Sequence, residues 1–120
     1  MENTPDTQLT SAIAAARAAL DRAEAERPTP ETVMALKEAT ELVASALNEA
    51  MAGVVLDGAS VRQVAAFAGL APNTVPGRLG SSALLADYVE DGKVSGEAIV
   101  RARYDQSRQP LRFSHRRSTT

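Results

Sequence analysis

The side chains in this 120-residue chain whose types and spacing could do chemistry are hydrogen-bonding groups suited to planar partners, not nucleophiles. Asn73, Thr74 and Arg78 fall within one short stretch. An Asn amide pairs bidentately with an adenine edge, an Arg guanidinium with guanine or a phosphate, and a Thr offers a hydroxyl and a methyl. Ser60, Arg62 and Gln63 lie upstream at what reads as a helix start, where backbone amides and an arginine suit phosphate oxygens. Ser81 adds a hydroxyl further on. Six arginines (Arg101, Arg103, Arg108, Arg112, Arg116 and Arg117) crowd the last twenty residues with a single acid, Asp105. Such a segment can follow a phosphate backbone or enter a minor groove. Asn73 reads equally well as a helix cap, and the bland reading of Arg78 is a solvated surface arginine.

Composition removes most other chemistry. The chain has no Cys and one His, His115. That excludes a disulfide frame, a thiolate zinc site, a Cys nucleophile and a multi-His metal site. A buried Ser-His-Asp arrangement does not fit a His placed near the end of a polar segment. Gly77-Arg-Leu-Gly80 lacks the Gly-Lys-Ser/Thr ending of a phosphate loop. The expectation is a protein that is no enzyme and takes no cofactor, metal or small-molecule ligand. No uninterrupted apolar run approaches the ~18 residues of a membrane span, and the start MENTPDTQ is acidic and polar. A cytoplasmic location with no membrane partner is expected.

The net charge of −2 conceals a segregation. Residues 1–60 carry ten acids and four bases, residues 61–100 four acids and three bases, and residues 101–120 six bases and one acid. Only the local field meets a phosphate, so the basic end suits nucleic acid while the acidic end would point away from it.

The elements that must position these groups read as all-α. Residues 1–7 are expected to be disordered. From Gln8 to Glu26 an Ala-rich helix carries Leu9, Ile13, Ala16, Leu20 and Ala23 at steps of three and four. Arg27-Pro28 stops it. Thr29 caps a second helix with Pro30 at its first position, and Val33, Leu36, Thr40, Val43, Leu47 and Val54 mark its stripe until Leu56-Asp57-Gly58. Residues 8–58 thus form a helical hairpin or a pair of dimerisation arms, with Val33, Leu36, Val43, Leu47 and Val54 as the seam. Few large apolar side chains are available to one core, which favours a homodimer.

Residues 59–105 predict a three-to-four-helix unit. Ser60 and Gln63 form a capping box, and Gly69 follows a short helix where a left-handed residue is needed. Leu70 plugs the corner. Asn73 is placed to cap a second helix, with Val75 and Leu79 on its inner face, ending at Gly80. Ser81 or Ser82 would cap a third with Leu84, Leu85 and Tyr88 inward, and Ser95 opens a last helix through Tyr104. Asp91-Gly92 leaves open a short β-wing over 88–95. Residues 106–120 are expected to form a disordered basic tail.

Two short helices joined through a glycine, with small Ala65 at their crossing and Val75 buried between them, meet the demands of a helix-turn-helix. The segment from Val61 to Gly80 resembles the helix-turn-helix of the lactose-repressor family, through Val64-Ala65, Ala68-Gly69-Leu70 and Thr74-Val75. The resemblance implies that the second helix enters the major groove of DNA with its first residues toward base edges. Two positions depart from it. Pro76 lies where the second helix would have its interior, and Gly77 stands where related repressors often place a base-reading side chain. Which side chain reads a base is therefore open. The chain is too short for the family's sugar-binding domain, so a stand-alone regulator of plasmid, phage or bacterial type is the expectation. The rival reading is a helical adaptor that binds another protein through its apolar stripes.

Overall fold

The structure, a computed structural model, describes residues 5–108. The expected basic tail from residue 109 onward, with Arg112, Arg116 and Arg117, lies outside the described residues. The chain is all-helical, and no strand occurs among the described residues. Five α-helices follow in order: α1 (Pro5–Ala23), α2 (Pro30–Leu56), α3 (Val61–Ala68), α4 (Val75–Gly80) and α5 (Gly96–Ser107).

Helix α1 begins at Pro5, inside the stretch expected to be disordered, and ends at Ala23 instead of Glu26. Proline is tolerated in a first turn because that amide has no intrahelical partner. At the other end Pro28 disfavours helical geometry at Arg27, and the last turn unwinds ahead of it. Helix α2 starts where the sequence places it. The Thr29 hydroxyl accepts the Thr32 amide at 3.2 Å, and the Thr29 amide donates back to the Thr32 hydroxyl at 3.0 Å. This is a capping box with Thr in the place usually held by Glu or Gln. Asp57 caps the C-terminus and Gly58 turns the chain away at φ 121°.

The six-residue link folds α1 back along α2 as a hairpin. Its contact line is alanine. Ala16, Ala19 and Ala23 of α1 are buried, as are Ala35, Ala39 and Ala46 of α2. Small side chains let two helix backbones come close. The large residues of the expected α2 seam do not make this contact: Val33, Leu36, Val43 and Val54 are exposed, and Leu47 is half-buried. Arg22 and Glu38 pair at 2.7 Å across the hairpin, and Lys37 and Glu41 pair at 2.8 Å along α2. The Glu41 carboxylate, by hydrogen bond and charge, holds the Lys37 ammonium above its usual range. Both pairs are exposed and contribute little to stability.

The core lies at the other end of α2. Met51, Ala52 and Val55 of α2 meet Val64 and Ala65 of α3, Val75 and Leu79 of α4, Leu85, Val94, and Ala98, Ile99 and Ala102 of α5. Helix α2 is therefore both a hairpin arm and a core helix. By length and composition it is also the one described helix that could cross a membrane. Charged residues punctuate it, so a search for uninterrupted apolar runs passes over it.

Residues 81–88 correct a sequence expectation. No third α-helix forms there; the chain makes turns and one 3-10 turn at Ala86–Tyr88. Ser82 does act as a local cap, since its hydroxyl accepts the Leu85 amide at 3.2 Å while donating to the Leu79 carbonyl at 2.7 Å. The Glu49 carboxylate of α2 takes the Ala83 amide at 2.6 Å, which ties this segment to α2. Leu85 is still buried, with Leu84 and Tyr88 packed partly beside it.

The open question over 88–95 resolves as a minimal hairpin. Glu90 and Lys93 exchange backbone hydrogen bonds of 2.8 and 3.0 Å, with Asp91 and Gly92 both at positive φ between them. That is the turn geometry whose twist suits two antiparallel strands. The hairpin is fastened to α4, because the Val94 amide donates to the Pro76 carbonyl at 3.0 Å. Ser95 caps α5, accepting the Ala98 amide at 3.1 Å. Helix α5 runs to Ser107 with Arg108 as its C-cap, so Gln106–Arg108 belong to the helical unit and not to the expected tail.

Gly80 sits where α4 meets this hairpin. A Cβ built there would lie 2.7 Å from the Gly92 carbonyl oxygen and 3.2 Å from its carbon, both backbone. Gly80→Ala is expected to destabilise the protein by about 1–3 kcal/mol, the usual cost of forcing a methyl into packed backbone. Urea unfolding measures it, and an unchanged midpoint would show that the hairpin yields freely.

Candidate nucleic-acid interface

Helix α3 is defined at both ends by local chemistry. The Ser60 hydroxyl accepts the Gln63 amide at 3.0 Å and the Gln63 side chain accepts the Ser60 amide at 2.9 Å. At its C-terminus Gly69 adopts φ 71°, ψ 31°. The Leu70 amide reaches the Ala65 carbonyl at 2.9 Å and the Gly69 amide the Ala66 carbonyl at 3.3 Å. This is a Schellman ending, and a left-handed residue there is cheap only for glycine. Leu70 packs against the core beside it.

The next helix begins differently from expectation. Pro72–Thr74 form a 3-10 turn that runs directly into α4, and Asn73 makes no capping hydrogen bond. Asn73 is therefore not a cap. The proline at 76 falls in the first turn of α4, where its missing amide is harmless. Val75 and Leu79 are fully buried, and the small buried Ala65 of α3 belongs to the same core.

The positions singled out in the sequence then divide. Asn73 and Thr74 are exposed ahead of α4, and Ser81 is exposed at its end. Gly77 is open, since a Cβ built there meets nothing within 4 Å. No acid lies in the run from Leu70 to Ala86. Ser60, Arg62 and Gln63 are exposed in the first turn of α3, although the Ser60 and Gln63 side chains already serve the capping box. The Arg62 side chain makes no hydrogen bond or ion pair among the described residues.

Arg78 and Arg103 are occupied. Arg78 Nε donates to Asn48 Oδ1 at 2.7 Å, which ties α4 to α2. Arg103 donates from Nε to the Val55 carbonyl at 3.0 Å and from Nη2 to the Ala59 carbonyl at 2.9 Å. It thereby adds a second donor to the Val55 carbonyl, which also takes the Gly58 amide at 3.0 Å, and bonds the Ala59 carbonyl beyond the end of α2. The Arg103 guanidinium is held by the protein through two nitrogens, whereas Arg78 is held through Nε alone. Arg101 is exposed on α5, and Arg108 lies 5.7 Å from the centre of the Tyr104 ring. Nearby, the Tyr88 hydroxyl donates to Asp105 Oδ2 at 2.6 Å, and that bond, helped by burial, raises the Tyr88 phenol above its usual pKa.

Two features of this region escape a reading of the sequence. Glu49 holds the Ala83 and Leu84 amides, from 34 and 35 residues away. Phe67 is 80% exposed on α3, beside an apolar groove of about 150 Å³ lined by Leu47, Met51, Val54 and Ala68. An exposed aromatic carries no signal in a helical pattern that otherwise reads as inward and outward faces.

Compared with protein-family models, curated proteins and solved structures, the chain matches none.

Proposed function

We propose that the chain is a small sequence-specific regulator, of repressor type, that binds double-stranded DNA through α3 and α4 as a helix-turn-helix. The observation that carries this reading is the unobstructed side of the segment leading into and along α4. Asn73, Thr74 and Gly77 stand open, while Val75 and Leu79 anchor the segment from behind. A 3-10 turn that presents Asn73 and Thr74 at the start of α4, in a stretch of sequence with no acid, fits a major groove. Base contacts fall to Asn73 and Thr74 in this reading, because Arg78 is engaged by Asn48. Arg62, Arg101 and the arginines beyond residue 108 supply phosphate contacts. The protein does no catalysis and works from the cytoplasm.

The test is a fluorescence-anisotropy titration of the full chain with random-sequence duplex DNA at low and at moderate salt. Binding that is present at low salt and weakens as salt rises supports the proposal, since phosphate contacts release counterions. No binding at low salt overturns it. The second reading, a helical adaptor, is favoured by one observation, the exposed large apolar residues of the hairpin.

A further inference from the structure

Three arginines around the α3–α4 surface are held in three different ways. Arg103 is fixed through Nε and Nη2 to backbone carbonyls, and Arg62 makes no bond among the described residues. Arg78 stands between these cases. Its Nε donates to Asn48 Oδ1 at 2.7 Å, and its side chain makes no other hydrogen bond or ion pair among the described residues. A guanidinium has five N–H donors, so this tether leaves the four on Nη1 and Nη2 unused. The tether is also neutral. No carboxylate of the described residues lies within 4.0 Å of the Arg78 guanidinium. Both oxygens of Glu49, the acid next to Asn48 on α2, are bonded instead to the Ala83 and Leu84 amides, at 2.6 and 3.4 Å. Asn48 thus orders a half-buried cation without cancelling its charge, which an Asp or Glu in its place would do.

The place of Arg78 on α4 sets what its free end can meet. Successive helical residues are about 100° apart. Arg78 is one such step from buried Leu79 and one from open Gly77, so it lies on the flank of α4, on the side toward α2. The outer face of a helix in a major groove meets base edges, and its flanks run beside the phosphates.

We infer that Asn48 of α2 is a positioning residue for DNA: it holds Arg78 by Nε so that the Nη pair meets a backbone phosphate and not a base. The inference rests on the proposal that α3 and α4 bind duplex DNA. A phosphate takes two parallel N–H bonds from one guanidinium, and both remaining nitrogens of Arg78 are available for them. An arginine ordered before binding also loses less side-chain freedom when it binds. Phosphate contact carries no sequence information, so Arg78 supports affinity for every duplex alike while Asn73 and Thr74 face the bases.

Anisotropy titrations of the full chain with random-sequence duplex over a range of salt test this, with thermal melting as the check on folding. Arg78→Gln is expected to bind about tenfold more weakly, with a salt slope shallower by about 0.9, the loss of one phosphate contact. Asn48→Ala is expected to weaken binding about two- to tenfold with an unchanged slope, since the arginine keeps its charge and loses only its order. Combined with Arg78→Gln it should cost nothing more. Asn48→Asp keeps an acceptor for Nε, so its melting temperature should hold, but its carboxylate neutralises the cation; affinity and slope should fall as in Arg78→Gln. A tie that only joined α4 to α2 would be preserved by Asp, so wild-type binding by Asn48→Asp overturns the inference. So does a double variant weaker than Arg78→Gln by the full Asn48→Ala factor, which would show Asn48 acting apart from Arg78. Wild-type protein that binds while all these variants match it removes the inference alone. Wild-type protein that does not bind at low salt removes the DNA reading and the inference with it.

Discussion

Leu79→Ala is expected to lower the stability of the folded chain by about 3 kcal/mol, within the roughly 2–5 kcal/mol seen for buried leucines. Leu79 has no exposed surface and belongs to one buried cluster with α2, α3, α5, Leu85 and Val94. Alanine would leave a cavity that neighbours fixed by several long-range ties cannot fill. The Glu49 carboxylate holds the 83–84 amides, Asn48 holds Arg78, and Val94 is bonded to Pro76. A domain whose whole stability is about 5–15 kcal/mol would lose a large fraction of it. Urea unfolding followed by circular dichroism reads the effect. A loss below about 1 kcal/mol would show that the core closes over the missing side chain.

Gly77→Glu separates recognition from folding. Position 77 is helical and its Cβ direction is open. Replacing glycine inside a helix recovers up to about 1 kcal/mol of backbone entropy, so the melting temperature should hold or rise. The same change sets a carboxylate on the surface proposed to enter the groove, in a run that otherwise has no acid. Duplex affinity is expected to fall by about tenfold or more, since like charges at an interface cost of order a few kcal/mol. Anisotropy titration at fixed salt measures it. Unchanged affinity with unchanged stability would remove α4 from the interface.

The elements that sequence alone makes legible are those whose determinants are local. Thr29, Ser60 with Gln63, Gly69 and Ser95 each act within a few residues, and each marks a helix end where expected. What was not legible depends on distant groups. A helix over 81–88 has the right local pattern and a serine cap, yet the chain makes turns there and one 3-10 turn, with the Ala83 and Leu84 amides bonded to Glu49 from 34 and 35 residues away. Arg103 reads as part of a basic arm, but the end of α2, 44 to 48 residues earlier, claims its guanidinium. The heptad of large residues on α2 reads as a seam for the hairpin or for a second chain. Within the chain the hairpin seam is the alanine line, because small side chains permit the closer approach. Those large residues are left outside it.

The most direct test of the proposed interface is a ¹⁵N-correlation titration of the full chain with duplex DNA. The amides of Asn73, Thr74, Gly77 and Ser81, with those of the first turn of α3, are expected to shift most. The amides of α1 should stay in place. Shifts confined to α1 and α2, or no shifts at all at low salt, would contradict DNA binding through α3 and α4.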